Sequence, residues 1–253
     1  MSELFVKTEH INGRTVLSDC SFTAPLKVAK PFYRDDGYSE IMVMCASPGM
    51  LDGDCYDMRF EIGDNTALII SGQAYQKILN TGGGAAEQNV RIQVGENAAL
   101  CYLPRPVIPF AGSKFHSRMY VALNRSSILF FGDILTCGRG GMGERFAFSE
   151  FTSRIAVSVE GRPAFLDNNR LFPDGAALDG IGFFEGYSCQ GLLYLYGYDN
   201  VSLPQSDGIE AAVSKAREGY AARIFGNSGD AVYEFAQNIF CSFRCSARKR
   251  KKI

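Results

Sequence analysis

Gly138-Arg139-Gly140-Gly141-Met142-Gly143-Glu144, followed by Arg145-Phe146-Ala147-Phe148-Ser149-Glu150-Phe151-Thr152-Ser153-Arg154-Ile155-Ala156-Val157-Ser158-Val159, is the stretch on which the fold turns. Glycines at 138, 140 and 143 satisfy G-x-G-x-x-G, a pattern that suggests a nucleotide. A dinucleotide loop works because it opens a helix whose first N–H groups face the pyrophosphate. Here Phe146, Phe148, Ile155, Val157 and Val159 alternate with polar or small residues, which is the period of a strand. No lysine followed by Ser or Thr is present to make a P-loop. The glycines are therefore read as a hairpin-type loop supplying positive φ.

Working outward, residues 118–136 read as two apolar strands. Before them, Leu103-Pro104-Arg105-Pro106-Val107-Ile108-Pro109-Phe110 interrupts a strand pattern with three prolines. Proline donates no backbone hydrogen bond, so this segment is expected to cross between sheets or to lie at an edge. Turn signals recur along the chain, among them Asn12-Gly13, Gly63-Asp64-Asn65 and Gly95-Glu96-Asn97, with short strand-like runs such as 91–94, 119–123 and 155–159 between them. That rhythm predicts a mainly β fold. Ile62-Gly-Asp-Asn-Thr-Ala-Leu68 is echoed by Val94-Gly-Glu-Asn-Ala-Ala-Leu100 and, more loosely, by residues 123–129, which hints at strands stacked in successive layers.

Near the C-terminus the pattern changes. Asp207 and Glu210 resemble a capping box, predicting a helix closed by Gly219. Ser228 or Asp230 can cap a second helix with Val232, Phe235, Ala236, Ile239, Phe240 and Phe243 on one face. Such a stripe is expected to pack on its own domain, with a partner surface as the other reading. The predicted organisation is a β body over 1–205, a helical segment over 206–247 on the same domain, and a basic, solvated tail over 248–253.

Composition is that of an ordinary globular protein, 46% hydrophobic and 21% charged. The net charge of −1 conceals five consecutive basic residues at 248–252; without them 21 basic residues face 27 acidic ones. An acidic body argues against nucleic acid as a partner. Apolar runs are too short to span a bilayer, so no membrane is expected. Met1-Ser2-Glu3 lacks a basic and apolar leader, so a cytoplasmic location is expected. The eight cysteines form no C-x-x-C pair and are expected to be thiols, mostly buried. The two histidines, His10 and His116, have no carboxylate or histidine at helical spacing, and neither G-x-S-x-G nor H-E-x-x-H occurs. Asp57, Arg59 and Glu61 project from one strand face. That face is either solvated or, if it lines a channel, attractive to a divalent cation.

At this point a resemblance appears. Ser47-Pro48-Gly49-Met50-Leu51-Asp52-Gly53-Asp54 resembles the S-P-G-M/L-x-x-G-D block of the urease accessory protein D family, called H in some bacteria. Ser71-Gly72-Gln73-Ala74 with Lys77-Ile78, the Pro104 to Phe110 block, and Gly138-Arg139 with Gly143-Glu144 follow in family order, and Leu26 to Phe32 resembles an earlier segment. The resemblance implies stacked strands in a right-handed β-helical arrangement with two α-helices near the C-terminus. It also implies a non-catalytic urease maturation factor that scaffolds accessory proteins on apo-urease and helps pass nickel(II), with no tightly bound cofactor. The implied partners are accessory protein UreF, the GTPase UreG through UreF, and the urease apoprotein. Asp54, Glu61 and Glu144 are then candidates for a nickel path, since carboxylates release the ion more readily than clustered thiolates; a surface role or an Arg139–Glu144 ion pair is the competing reading. Arg139, Phe235, Ile239 and Phe243 are candidate partner contacts. The alternative of another class is a small cytosolic hydrolase using carboxylates near Asp54.

Overall fold

A computed structural model describes residues 1–250, with side chains through Arg244. Of the basic tail, residues 251–253 and the side chains of residues 248–250 lie outside what is described. In chain order the strands are β1 (Ser2–Ile11), β2 (Arg14–Phe22), β3 (Leu26–Val28), β4 (Phe32–Tyr33), β5 (Ser39–Cys45), β6 (Cys55–Ile62), β7 (Ala67–Gln73), β8 (Gln76–Ile78) and β9 (Ala86–Val94). Then come β10 (Ala99–Leu103), β11 (Val107–Pro109), β12 (Lys114–Leu123), β13 (Ile128–Thr136), β14 (Glu150–Val159), β15 (Arg162–Leu171), β16 (Cys189–Tyr196), β17 (Ile209–Lys215), β18 (Tyr220–Gly226) and the helix α1 (Gly229–Arg250).

Two sheets face each other. Sheet A has the order β15-β14-β12-β9-β6-β1-β2, and sheet B the order β17-β18-β16-β13-β10-β7-β5-β3, with β4, β8 and β11 attached off that path. The interior strands are parallel because the chain crosses to the other sheet between neighbours: β6, β9 and β12 lie side by side in sheet A, and β7, β10 and β13 side by side in sheet B. This is the layered arrangement hinted at by the internal echo. Ile62, Val94 and Leu123 stand in register, as do Leu68, Leu100 and Leu129. The echoed turns stack as well: Asn65 N–H donates to the Glu96 carbonyl at 2.8 Å, and Asn97 N–H to Ser126 Oγ at 2.9 Å. Asn65 and Asn97 both sit at positive φ, 59° and 53°, a conformation asparagine tolerates better than most residues. Antiparallel hairpins close both ends, β1–β2 at one and β14–β15 at the other.

The space between the sheets holds the larger core, including Phe60, Leu68, Ile92, Leu100, Val121, Leu129 and Phe131. A second core lies on the far side of sheet B, where α1 places Val232, Tyr233, Phe235, Ala236, Ile239 and Phe240 against Phe130, Leu193, Leu195 and Ile224. The apolar stripe of the C-terminal helix thus packs on its own domain.

Only one of the two expected helices is present among the described residues. The segment read as the first is the hairpin β17–β18, with Ala216 N–H bonded to the Gly219 carbonyl at 3.0 Å. Ile209, Ala211 and Val213 take alternate positions and pack against the second core, so a period of two prevails over the apparent capping box. Two smaller expectations also change. Phe146 lies in the loop at φ 51°, and the strand it was expected to open begins at Glu150. Only three of the seven described cysteines, Cys101, Cys137 and Cys189, are buried. The proline-rich segment neither crosses between the sheets nor forms a fully paired central strand: it stays in sheet B, where β11 pairs with short β8 off the main path and meets β13 only at Val107.

Candidate functional site

Strand parity decides what lines the space between the sheets. On sheet A, four inward residues stand in register across neighbouring strands: Tyr56 on β6, Gln88 on β9, Ser117 on β12 and Ser153 on β14. The rungs on either side are apolar, Ala86–Phe115–Phe151 on one and Met58–Val90–Met119–Ile155 on the other. From β6 to β14 a polar row therefore crosses between two apolar rungs. Three of its members have side-chain partners. Tyr56 O–H lies 3.3 Å from Cys45 Sγ, Gln76 Nε2 donates to Gln88 Oε1 at 2.8 Å, and Ser153 Oγ donates to Asp133 Oδ2 at 3.2 Å.

Asp133 is the unusual member. It enters from β13 in sheet B, where Leu129, Phe131 and Leu135 share its inward face. Burial pushes its carboxyl up to about 6; the Ser153 hydrogen bond opposes this, Asp167 adds to it and Arg223 lowers it. Sequence reasoning missed it. The available signal was one carboxylate inside the run Ile128 to Thr136, since unpaired acids are rarely buried. A cavity of about 210 Å3 lies here, with Tyr56, Gln88, Ser117, Ser153 and Asp133 on its walls beside the thioethers of Met50 and Met119. It has room for several waters.

The segments singled out in the sequence close one end of this space. Ser47, Pro48, Gly49 and Met50, then Gly72 to Gln76, then Pro104 and Val107, all line the cavity. They are tied together by Met50 N–H to the Lys77 carbonyl at 2.8 Å and Gln76 N–H to the Pro106 carbonyl at 3.0 Å. Gly49 is required by a close approach, because a Cβ there would stand 2.8 Å from the Lys77 carbonyl oxygen. The glycine loop adjoins this end: Arg139 lies 4.2 Å from the centroid of the Phe110 ring.

The carboxylates named from sequence stand elsewhere. Asp54 accepts from Leu51 N–H at 2.8 Å in the tight turn before β6. Glu61 lies on the outer face of sheet A, paired with Arg59, because Met58, Phe60 and Ile62 take the inner face. Of the two readings open for the Asp57, Arg59 and Glu61 face, that parity gives the outward one, so Glu61 does not face an interior path. Glu144 accepts from Arg139 Nε at 2.8 Å and from Ala111 N–H at 3.3 Å, and the guanidinium holds its carboxyl below the usual value. The three are not brought together, and among the described residues no group of three His, Cys, Asp or Glu side chains is placed to hold a metal. Of the partner candidates, Phe235 and Ile239 are buried against sheet B, Phe243 packs beside Tyr198, and Arg139 keeps part of its surface exposed. His116 pairs with Glu150 at 3.1 Å on the outer face. The glycine loop leads through a short 3-10 turn, Gly140–Met142, toward strand β14 and opens no α-helix, as the sequence indicated.

Comparison with known proteins adds the decisive observation: the family model described as UreD urease accessory protein matches residues 2–252. The chain belongs to the UreD urease accessory protein family. It is 36% identical over 252 residues to the urease accessory protein UreD of Acetivibrio thermocellus, covering 94% of this chain and 96% of the relative. It is 35% identical over 221 residues to UreH of Helicobacter pylori strain J99, covering 85% and 83%, and 31% identical over 240 residues to UreD of Flavobacterium johnsoniae, covering 90% and 86%. As a UreD-family member the chain is an accessory protein and not a catalyst, which sets aside the hydrolase alternative built on Asp54. No helix among the described residues is long and apolar enough to cross a membrane.

Proposed function

We propose that this UreD-family protein is a urease maturation factor that scaffolds accessory proteins on apo-urease in the cytoplasm and helps pass nickel(II) toward the urease active site. Nickel is cargo in this reading, held transiently. UreF is the proposed direct partner, UreG is recruited through UreF, and the urease apoprotein receives the ion. The sense of the stacked coils is proposed as right-handed, the hand that parallel crossovers almost always take.

The inner polar row carries the nickel part of this reading. Hydroxyls, amides and one carboxylate offer oxygen donors to an entering cation, and a borderline divalent ion bound mainly by such groups and water leaves again more readily than from thiolates. With a pKa of about 6, Asp133 is mostly ionised at neutral pH and supplies the attraction. Because the row crosses from strand to strand, successive donors follow one another through the interior rather than converging on one point. This moves the leading candidate from Asp54, Glu61 and Glu144 to Asp133.

The test is co-expression of apo-urease with its accessory proteins and either the parent chain or Asp133→Asn. Nickel content and urease activity should fall with the variant while UreF still co-purifies. Full nickel loading by Asp133→Asn would refute the assignment of the row.

A further inference from the structure

The outer face of sheet A is bare. Strands β1, β6, β9, β12 and β14 run parallel, and parallel sheets are as a rule covered on both faces. Sheet B has the interior on one side and α1 on the other, whereas the described residues place no helix over sheet A.

Register shows what this face presents. One rung runs Phe5–Arg59–Arg91–Tyr120–Ala156–Leu166 across six strands, and the next runs Asp57–Asn89–Arg118–Arg154. Arg59 stands directly opposite Arg91, and Arg118 directly opposite Arg154. Like charges so placed repel. Glu61 offsets Arg59, Asp57 offsets Arg91 at 2.9 Å, and Glu87 reaches Arg118 at 3.4 Å. The Arg154 side chain is exposed and makes no ion pair or hydrogen bond among the described residues. Beside it a shallow depression of about 540 Å3 is floored by Tyr120, Ala156 and Leu166, with Tyr120 49% and Leu166 59% exposed.

We infer that this face docks an acidic protein segment carrying an aromatic or aliphatic side chain. A carboxylate of the segment would take the fork of Arg154 and reach toward Arg118, relieving the opposed pair, while the apolar group enters the depression between Tyr120 and Leu166. Asp57, Glu61 and Glu87 stand among the arginines and would repel a continuous polyphosphate, so discrete carboxylates suit the pattern better than a nucleic acid. The inference is independent of the nickel route, which runs on the opposite face of the same sheet.

The full chain is titrated against a fluorescent synthetic peptide, Asp-Glu-Phe-Asp-Glu-Leu, and against its neutral counterpart, Asn-Gln-Phe-Asn-Gln-Leu, with anisotropy as the readout. The acidic peptide should bind saturably and more weakly as salt rises, and the neutral one about tenfold less tightly or worse, as expected when charge-assisted bonds are lost. Arg154→Glu and Arg118→Glu should each weaken binding by at least about tenfold. Lys27→Glu, on β3 of the other sheet, should not change it, and the thermal midpoints should match the parent. If Arg154→Glu shifts the midpoint, Arg154→Gln replaces it. Equal affinity for both peptides, indifference to Arg154, or Arg154-dependent binding of only a single-stranded oligonucleotide would overturn the inference. So would Arg154-dependent self-association without peptide binding.

Discussion

Replacing Asp133 by Asn should stabilise the protein while impairing it. In the folded chain its carboxyl is pushed from 3.8 to about 6, chiefly by burial. A carboxyl with a raised folded-state pKa holds its proton more tightly when folded. It therefore favours folding fully below about pH 4, and that advantage is lost as pH rises through about 6. A shift of roughly two units corresponds to about 3 kcal/mol of destabilisation in the ionised state. Asparagine is never ionised and keeps an oxygen that can accept from Ser153. The gain should be small at pH 4.5 and grow by about 2 kcal/mol at pH 8, which is the part of the shift titrated between them. In a domain of this size each kcal/mol moves the thermal midpoint by about 2–4 °C. Urea unfolding of both proteins at the two pH values measures it directly. An equal gain at both pH values, or a less stable variant at pH 8, would refute the burial argument.

Three further outcomes follow from the geometry. The triple variant Asp54→Gln, Glu61→Gln, Glu144→Gln should retain more nickel delivery than Asp133→Asn in the co-expression assay, since the three stand apart from the cavity walls; the reverse order would return the path to the sites named from sequence. Phe240→Ala should cost about 3–5 kcal/mol of stability in denaturant melts, because the ring is 6% exposed between α1 and Phe130; a loss under about 1 kcal/mol would mean the helix is not anchored there. Gly219→Ala should destabilise the β17–β18 hairpin, since φ is +82° and the new Cβ would stand 2.3 Å from the Leu195 carbonyl oxygen; hydrogen exchange of β18 amides at the parent rate would contradict this.

The coil of strands was legible because it repeats. The Gly-Asp-Asn and Gly-Glu-Asn turns carry their own backbone requirement, and they recur where sheet A hands the chain to sheet B. The false helix at 207–219 has an equally local cause. Alanines and a Ser-Asp start favour a helix over that window, yet Ile209, Ala211 and Val213 alternate, and only tertiary contact with the second core shows that the alternation prevails. Glu61 was ambiguous for a different reason. Parity alone separates Asp57, Arg59 and Glu61 from Met58, Phe60 and Ile62, but it does not say which set faces inward until the apolar set is given a core. The polar row was not legible at all. Tyr56, Gln88, Ser117 and Ser153 lie far apart in sequence, and only the parallel register aligns them.

That alignment bears on why the row exists. Each coil contributes one inward residue to every rung, so a polar residue could have fallen on any of them. The rungs flanking Gln88 and Ser117 are filled by Val90, Met119, Ala86 and Phe115, side chains that bury well. Placing a phenol, an amide, two hydroxyls and a carboxylate in one layer instead requires partners for each, because an unmatched buried polar group costs about 1–3 kcal/mol. Stability alone would favour Val or Leu throughout. Partner-matching satisfies some of the layer, through Gln76, Cys45 and the Ser153–Asp133 bond, but Asp133 still keeps a raised pKa. Asp133, raised by burial and beside a cavity of about 210 Å3, is therefore the residue on which the proposed passage of nickel(II) is tested most directly. A divalent ion passing along the row would lower the Asp133 pKa while present and restore it on leaving. Titration of Asp133 with and without saturating nickel(II) should therefore show the apparent pKa falling when the metal is added. An unmoved pKa would mean that the carboxylate never meets the ion.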